Sequence, residues 1–282
     1  MVKRALRAAG DLPAPTAQPD SSESGFLFSH LSLPSFPMSS SFLSTEFQLS
    51  SVAFFGRTFA EYLRFFALNE SDLAGRRMLD VAAGPSSFTA EAHARGIAAV
   101  AVDPLYGYSL EALTAHVQID YARMLAEMRR QEAKFRYRYF PSLAAAEASR
   151  RSAAARFLAD YESGFLQDRY IGASLPRLPL ADGAFDLVLS AHLLFTYARH
   201  FDYAFHLAAC RELVRVSTGE VRLHPVCGLD GKPYPELPRL QDELRGEGIA
   251  SRVITVDYEF FPGSDSTMIL MKGGGSVPPI GR

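Results

Sequence analysis

From Arg76 to Lys272 the chain alternates short, continuously apolar runs with stretches whose apolar residues recur every three or four positions. The runs predict strands at Arg77–Val81, Ala98–Asp103, Arg169–Ala173, Phe185–Ser190, Glu220–Pro225, Arg252–Glu259 and Thr267–Lys272. The longer spacing predicts helices at Ser86–Arg95, Ala191–Tyr197, Tyr203–Val216 and Leu237–Gly246. Strands that are apolar on both faces and alternate with helices imply a mostly parallel sheet covered on both sides. Only Phe261 to Ser266 separates the last two strands, with Pro262-Gly263 as the turn. That is too short for a parallel crossover, so this pair must be antiparallel.

Two segments break the rhythm. About 65 residues separate Asp103 from the strand at Arg169, more than a crossover needs. Within them Leu110, Leu113, Val117, Tyr121, Leu125 and Met128 have helical spacing, and a second helix is expected from about Leu143 to Phe165. This predicts a helical insertion at about 106–167. From Tyr121 to Arg156 it carries nine Lys/Arg against three Glu, which suits either a solvated helical face or a docking surface for an acidic substrate or RNA. The other segment is aromatic. Ten of the 21 Phe lie between Gly25 and Phe66. Val52, Phe55, Phe59, Tyr62, Leu63 and Phe66 predict an amphipathic helix over Ser51–Leu68, capped by Ser50 or Ser51. Residues 25–75 therefore read as a helical cover that either buries aromatics against the sheet or closes as a lid over an apolar pocket. Residues 1–24 have Pro13, Pro15, Pro19 and a Ser/Glu cluster without apolar period, and read as a disordered tail.

Composition narrows the function classes. The 282 residues are 48% hydrophobic and 21% charged, in the globular range. A formal charge of −2 and a pI of about 6.4 do not suit a dedicated nucleic-acid binder. No apolar run reaches the ~20 residues that span a membrane, and no apolar region follows the basic start. Cys210 and Cys227 alone cannot supply a disulfide framework or a four-cysteine zinc site. The expectation is a cytoplasmic protein with no membrane association. The His and acidic residues lack metal-ligand spacing, so no metal is expected.

The most informative stretch is Arg77-Met78-Leu79-Asp80-Val81-Ala82-Ala83-Gly84-Pro85-Ser86-Ser87-Phe88. An apolar strand carries an acid near its end, and small residues then turn the chain into a helix. Small side chains let the backbone approach a ligand, and a helix N-terminus offers free N–H groups. The next strand ends at Asp103, 23 residues after Asp80, where an acid can accept hydrogen bonds from both ribose hydroxyls of an adenosine. A dinucleotide turn wants three glycines. Here those places hold Ala82, Gly84 and Ser87, with no nearby cation to counter a pyrophosphate.

Leu79 to Ser86, the acid of Val102-Asp103-Pro104, and the run Leu178-Pro179-Leu180-Ala181-Asp182-Gly183-Ala184-Phe185-Asp186-Leu187-Val188-Leu189-Ser190 resemble successive motifs of class I S-adenosylmethionine-dependent methyltransferases. The resemblance covers about Arg76 to Lys272. It implies an α/β, Rossmann-like, seven-stranded sheet of order 3-2-1-4-5-7-6 with the last strand antiparallel, helices on both faces, and 76–282 as the methyltransferase domain. It also implies S-adenosylmethionine as cofactor. Asp80 would orient the turn and the cofactor's amino group, while Ala82, Gly84 and Pro85 would form the turn beside the methionine moiety. Asp103 would hold the ribose, with Pro104 and Leu105 beside the adenine. Ser174 and Leu175 would edge the base, and Ser190 would line the methionine end. The sequence departs from the family in keeping only Gly84 of the glycine motif, in carrying Ser174 where an Asp is common, and in having Ser217-Thr218-Gly219 before the fifth strand.

Ligands of open α/β sheets bind beyond the carboxyl ends of the strands. Ser190-Ala191-His192 and His224-Pro225 end the fourth and fifth strands. His192 and His224 are thus candidate bases for a hydroxyl or amine acceptor, with Tyr197 a further candidate; the alternative for His192 is a hydrogen bond to a neighbouring loop. Arg57 either forks the methionine carboxylate or faces solvent. The reading is methyl transfer to a small, apolar or aromatic acceptor. RNA is the less favoured substrate, and a non-catalytic methyltransferase-like binding protein is a third reading.

Overall fold

The structure is a computed structural model, and the description covers residues 52–273. The tail at 1–24, most of the aromatic stretch before Ala53, and the proposed Ser50 or Ser51 cap lie outside the described residues. Seven strands form one sheet: β1 (Arg77–Val81), β2 (Ala98–Asp103), β3 (Tyr170–Gly172), β4 (Phe185–Ala191), β5 (Ser217–His224), β6 (Ile249–Thr255) and β7 (Ser266–Lys272). Their spatial order is 3-2-1-4-5-7-6. β1 is parallel to β2 and β4, and β4 to β5, whereas β7 runs antiparallel to both β5 and β6.

The strands sort their side chains by parity. Leu79, Val81 and Val188 face the core under α5 (Tyr203–Val216) and α6 (Leu237–Gly246). Met78, Leu187 and Leu189 face the opposite side, under α1 (Phe59–Phe65) and α2 (Phe88–Ala94). The helical insertion is α3 (Leu110–Arg130) and α4 (Leu143–Leu166). Leu113, Val117 and Tyr121 of α3 pack with Ala154, Phe157 and Tyr161 of α4 beside Ala101 and Tyr170 of the sheet. Among the described residues, no helix is long and apolar enough to cross a membrane.

Three predicted elements differ. The first helix does not run from Ser51; it begins at Phe59, where Thr58 and Glu61 form a reciprocal capping box. Upstream, the N–H groups of Ala53, Phe54 and Gly56 bond to Tyr197 Oη, Asp120 Oδ2 and Tyr121 Oη instead of helical carbonyls. Residues 52–58 therefore form an irregular strap. The predicted helix Ala191–Tyr197 is also absent. Ala191 ends β4, His192 is left-handed at φ 55°, and its N–H bonds to His224 O at 2.6 Å, prolonging the β4–β5 ladder. Finally, β6 begins earlier than expected and stops at Thr255. Tyr258 and Phe260 leave the sheet to pack against α1 and the α3–α4 connection.

One buried cluster joins distant parts of the chain. Glu61 of α1 forms an ion pair with Arg150 of α4, both essentially without solvent exposure. Tyr258 of the β6–β7 hairpin donates to Glu61 Oε1 at 3.0 Å and lies 3.2 Å from Arg150 Nη2. Burial alone would raise the Glu61 carboxyl, but Arg150, then Arg57, hold it below its ordinary value. Arg150→Met leaves that carboxylate buried and unpaired, and is expected to cost about 3–5 kcal/mol in urea unfolding. The Glu61→Gln/Arg150→Met double variant is expected to recover most of the loss. A single-variant cost below about 1 kcal/mol would show that the pair does not anchor the fold.

Candidate active site

A cavity of about 960 Å³ lies beyond the carboxyl ends of β1, β2 and β4, at the upper end of the ~300–1,000 Å³ typical of small-molecule sites. Its inner wall is the Val81–Gly84 turn, Asp103–Leu105, Ala173–Leu175 and Ala191–Leu193. The strap supplies another wall through Val52, Phe55 and Arg57. The strap is fastened to the turn that follows β1. Ser87 N and Ser86 Oγ both donate to Arg57 O, at 3.0 and 2.9 Å. Gly56 lies so close that a Cβ there would come 2.0 Å from Pro85 O, so this approach requires glycine.

The turn itself is left-handed at Ala82 (φ 58°) and at Gly84 (φ 56°). Glycine adopts that region freely, whereas an alanine there costs about 1–2 kcal/mol. Strained residues of this kind persist where surrounding bonds over-determine them. Here Ala83 N donates to Val102 O at 3.1 Å, Gly84 N to Asp103 Oδ2 at 3.0 Å, and Tyr106 Oη to Gly84 O at 2.5 Å. Asp103 Oδ1 also accepts from Leu105 N at 3.0 Å. Each carboxylate oxygen thus takes one backbone N–H and keeps capacity for one more donor from a ligand. Burial pushes Asp103 up to about 6, against the pull of those two N–H bonds.

Asp80 lies just behind this wall. Tyr62, which lines the cavity, donates to its Oδ1 at 3.1 Å, and its Oδ2 is buried with no partner among the described residues. Burial raises its pKa from the ordinary 3.8 to about 8. Arg57 has no carboxylate within ion-pair distance among the described residues. Its Nη1 donates to Phe55 O and Gly56 O, and its Nε is buried without a partner. Burial, then the neighbouring Arg150, push its pKa down. These groups suit a ligand with a vicinal diol for Asp103, a cationic amine for Asp80 and an anion for Arg57.

The two histidines differ. His192 lines the cavity, and its Nδ1 is buried with no partner among the described residues. Burial, then the charge of Arg57, hold it well below its ordinary pKa, so it is neutral. His224 does not line the cavity; it stacks on Phe65 at 4.5 Å. Thr267 gives its only hydroxyl hydrogen to Phe65 O at 2.6 Å, so at 2.9 Å it must accept from His224 Nδ1. His224 is therefore the Nδ1–H tautomer, and burial pushes its pKa down to about 3.

Of the residues singled out in the sequence, the cavity brings together Arg57, Ala82, Gly84, Asp103, Pro104, Leu105, Ser174, Leu175, His192 and Tyr197. Asp80, Pro85, Ser190 and His224 stand behind its surface. Tyr197 uses its hydroxyl to accept the strap's Ala53 N–H. The sequence reading gave no site role to Tyr62, Gln131, Thr196 or the Phe260–Pro262 turn, which also line the cavity. Only Tyr62 carried a signal, its place in the aromatic stripe. The basic insertion is largely matched by acids: Arg123, Arg129, Arg130, Arg138, Arg150 and Arg156 each pair with a carboxylate.

An uncharacterized protein of Methanocaldococcus jannaschii, MJ0045, is 30% identical over 225 residues, covering 79% of this chain and 98% of that protein. The chain belongs to that protein's family. No known protein-family profile matches it. Among solved structures it is similar to a magnesium protoporphyrin IX methyltransferase from Synechocystis PCC 6803 with bound S-adenosylmethionine, at 13% identity and a TM-score of 0.37, covering 72% of this chain and 73% of that one. It is also similar to a putative S-adenosylmethionine-dependent methyltransferase from Methanococcus maripaludis, at 15% identity and a TM-score of 0.39, covering 78% and 85%. The sheet order and the antiparallel β7 are those of the class I methyltransferase fold.

The Asp80 carboxyl gives a test of the site's electrostatics. Its folded pKa lies above its unfolded one, so the folded state holds the extra proton. Its contribution to stability then falls as pH rises from about 4 to about 8. Asp80→Asn removes that penalty. By thermal unfolding of the ligand-free protein, the variant's advantage over the parent should grow by about 3–4 kcal/mol between pH 5 and pH 8.5. A gain independent of pH would contradict the assignment.

Proposed function

We propose that the protein is an S-adenosylmethionine-dependent methyltransferase acting on a small, apolar or aromatic acceptor. The observation that carries this reading is the unpartnered Asp80 Oδ2 behind a strained Ala82–Gly84 turn, with Asp103 holding the turn at the same cavity wall. When bound, S-adenosylmethionine supplies an electrophilic methyl group on a sulfonium sulfur. Asp103 would accept from the ribose hydroxyls, while Pro104, Leu105, Ser174 and Leu175 would enclose the base. Asp80, in its ionised form, would hold the ammonium end, and Arg57 would fork the carboxylate.

The strap closes one side of the cavity, and its aromatic side chains keep water from the reacting groups. Alignment of the acceptor supplies much of the rate of such a displacement. His192 Nδ1, neutral and without a partner, takes the proton that an acceptor hydroxyl or amine gives up. His224 serves this arrangement through its backbone, since its carbonyl holds the His192 N–H and so fixes the left-handed residue.

Calorimetric titration with S-adenosylhomocysteine tests the cofactor half. The parent protein should bind it, and Asp103→Ala should weaken binding about 10–100-fold through the loss of charge-assisted hydrogen bonds. His192→Gln should leave that affinity within about twofold while lowering turnover in an acceptor screen about 10²–10⁴-fold. No heat with the parent protein would refute the reading. Full turnover in His192→Gln would refute only the role of the base.

A further inference from the structure

The groups assigned to the cofactor line the inner part of the cavity, beside β1, β2 and β4. Its outer part lies between the end of α3, the segment after β4, the 229–232 loop and the β6–β7 hairpin. Met128, Phe135, Phe201 and Phe260 give it apolar walls. Two buried polar atoms in those walls, Gln131 Oε1 and Thr196 Oγ1, have no partner among the described residues. A buried polar atom left unpaired costs about 1–3 kcal/mol, so such atoms mark where a ligand completes the hydrogen bonding.

Two cationic residues, Arg136 and Lys232, belong to the lining of this cavity. The Arg136 backbone N–H donates to Phe260 O at 2.7 Å, and the Phe135 ring stacks on that of Phe260 at 4.5 Å. On the other side, Gly231 sits so tightly that a Cβ would come 2.4 Å from Pro262 O. Arg136 and Lys232 thus flank one turn, and both line the cavity. The Arg136 guanidinium has no ion pair among the described residues. Lys232 reaches Asp230 only at 4.0 Å, and its side chain is 79% exposed. Asp120, another acid of the lining, already pairs with Arg123 at 2.9 Å. Arg136 without an ion pair, and Lys232 with only that long contact to Asp230, leave an excess of positive charge beside the Phe260–Pro262 turn, the arrangement that draws an anion in.

We infer that the outer compartment selects an acceptor with a flat apolar body and a carboxylate, the carboxylate meeting Arg136 and Lys232 and a polar substituent meeting Gln131 and Thr196. The inference rests on the proposed function only in calling the ligand the methyl acceptor; the binding site stands on its own geometry. With no tryptophan in the chain, naphthalene fluorescence can be read against tyrosine alone. Titration of the full chain with 2-naphthoate and with 2-naphthamide, with and without S-adenosylhomocysteine, tests it.

The acid should bind about tenfold tighter than the amide. That preference should fall below about twofold in Arg136→Gln/Lys232→Gln, with an unchanged melting temperature and with S-adenosylhomocysteine affinity within about twofold of the parent. Equal binding of acid and amide, a preference that survives in the double variant, or no binding of either probe would overturn the inference. A preserved acid preference without S-adenosylhomocysteine binding would uphold it and remove the cofactor reading instead.

Discussion

The ion pair between Glu61 and Arg150 sits where α1, α4 and the β6–β7 hairpin meet, with Tyr258 closing it from the hairpin. A buried charge pair is costly to desolvate, and it persists only where good geometry and further hydrogen bonds complete it. Those further bonds reach the cavity. Tyr121 Oη donates to Arg150 O at 2.9 Å and accepts from Gly56 N at 3.1 Å. Thr58, the next residue but one, caps α1 through Glu61 itself. The strap is therefore held at one end by the ion pair and in its middle by Tyr121. Its position over the β1 turn follows from those two anchors and the glycine contact with Pro85.

The site uses the same low-dielectric surroundings in the opposite sense. Where Glu61 is given a cation and stays charged, Asp80 is given only a tyrosine hydroxyl and takes up a proton. Arg57 lies between these extremes, a cation with backbone carbonyls for company and no ion-paired carboxylate among the described residues. Local strain follows a similar division. Ala82 and His192, both left-handed, lie at the ends of β1 and β4 on the cavity wall. The neighbouring strands fix each of them, through Asp103 and Val102 in one case and the His224 carbonyl in the other.

Much of the sheet was legible because its determinants are local. The strands are continuously apolar runs, as at Leu187-Val188-Leu189, and the short connection Phe261 to Ser266 before the last predicted strand forced an antiparallel pair. α3 was legible for the same reason, a sustained three-four spacing from Leu110 to Met128. The strap was not. Its aromatic spacing was helical, but its N–H groups are claimed by side chains of Asp120, Tyr121 and Tyr197, far away in sequence. The segment after β4 misled similarly, since Leu193, Leu194 and Tyr197 have helical spacing while His192 is committed to the β5 ladder. The inner wall of the site was legible through its strand-turn-acid register. Gln131, Thr196 and Lys232 had no motif, because only the packing of the insertion and the 229–232 loop around the Phe260–Pro262 turn brings them to one opening.

We propose that the Ala82–Gly84 turn, Asp80 and Asp103 form the seat of a nucleoside sulfonium cofactor beneath the strap. A crystal structure of the full chain grown with S-adenosylhomocysteine tests it most directly. The ribose hydroxyls should lie within hydrogen-bond distance of Asp103, the amino group against Asp80 Oδ2, and the sulfur on the side of the cavity that His192 lines. Ligand density elsewhere, or none at this wall at saturating concentration, would contradict it.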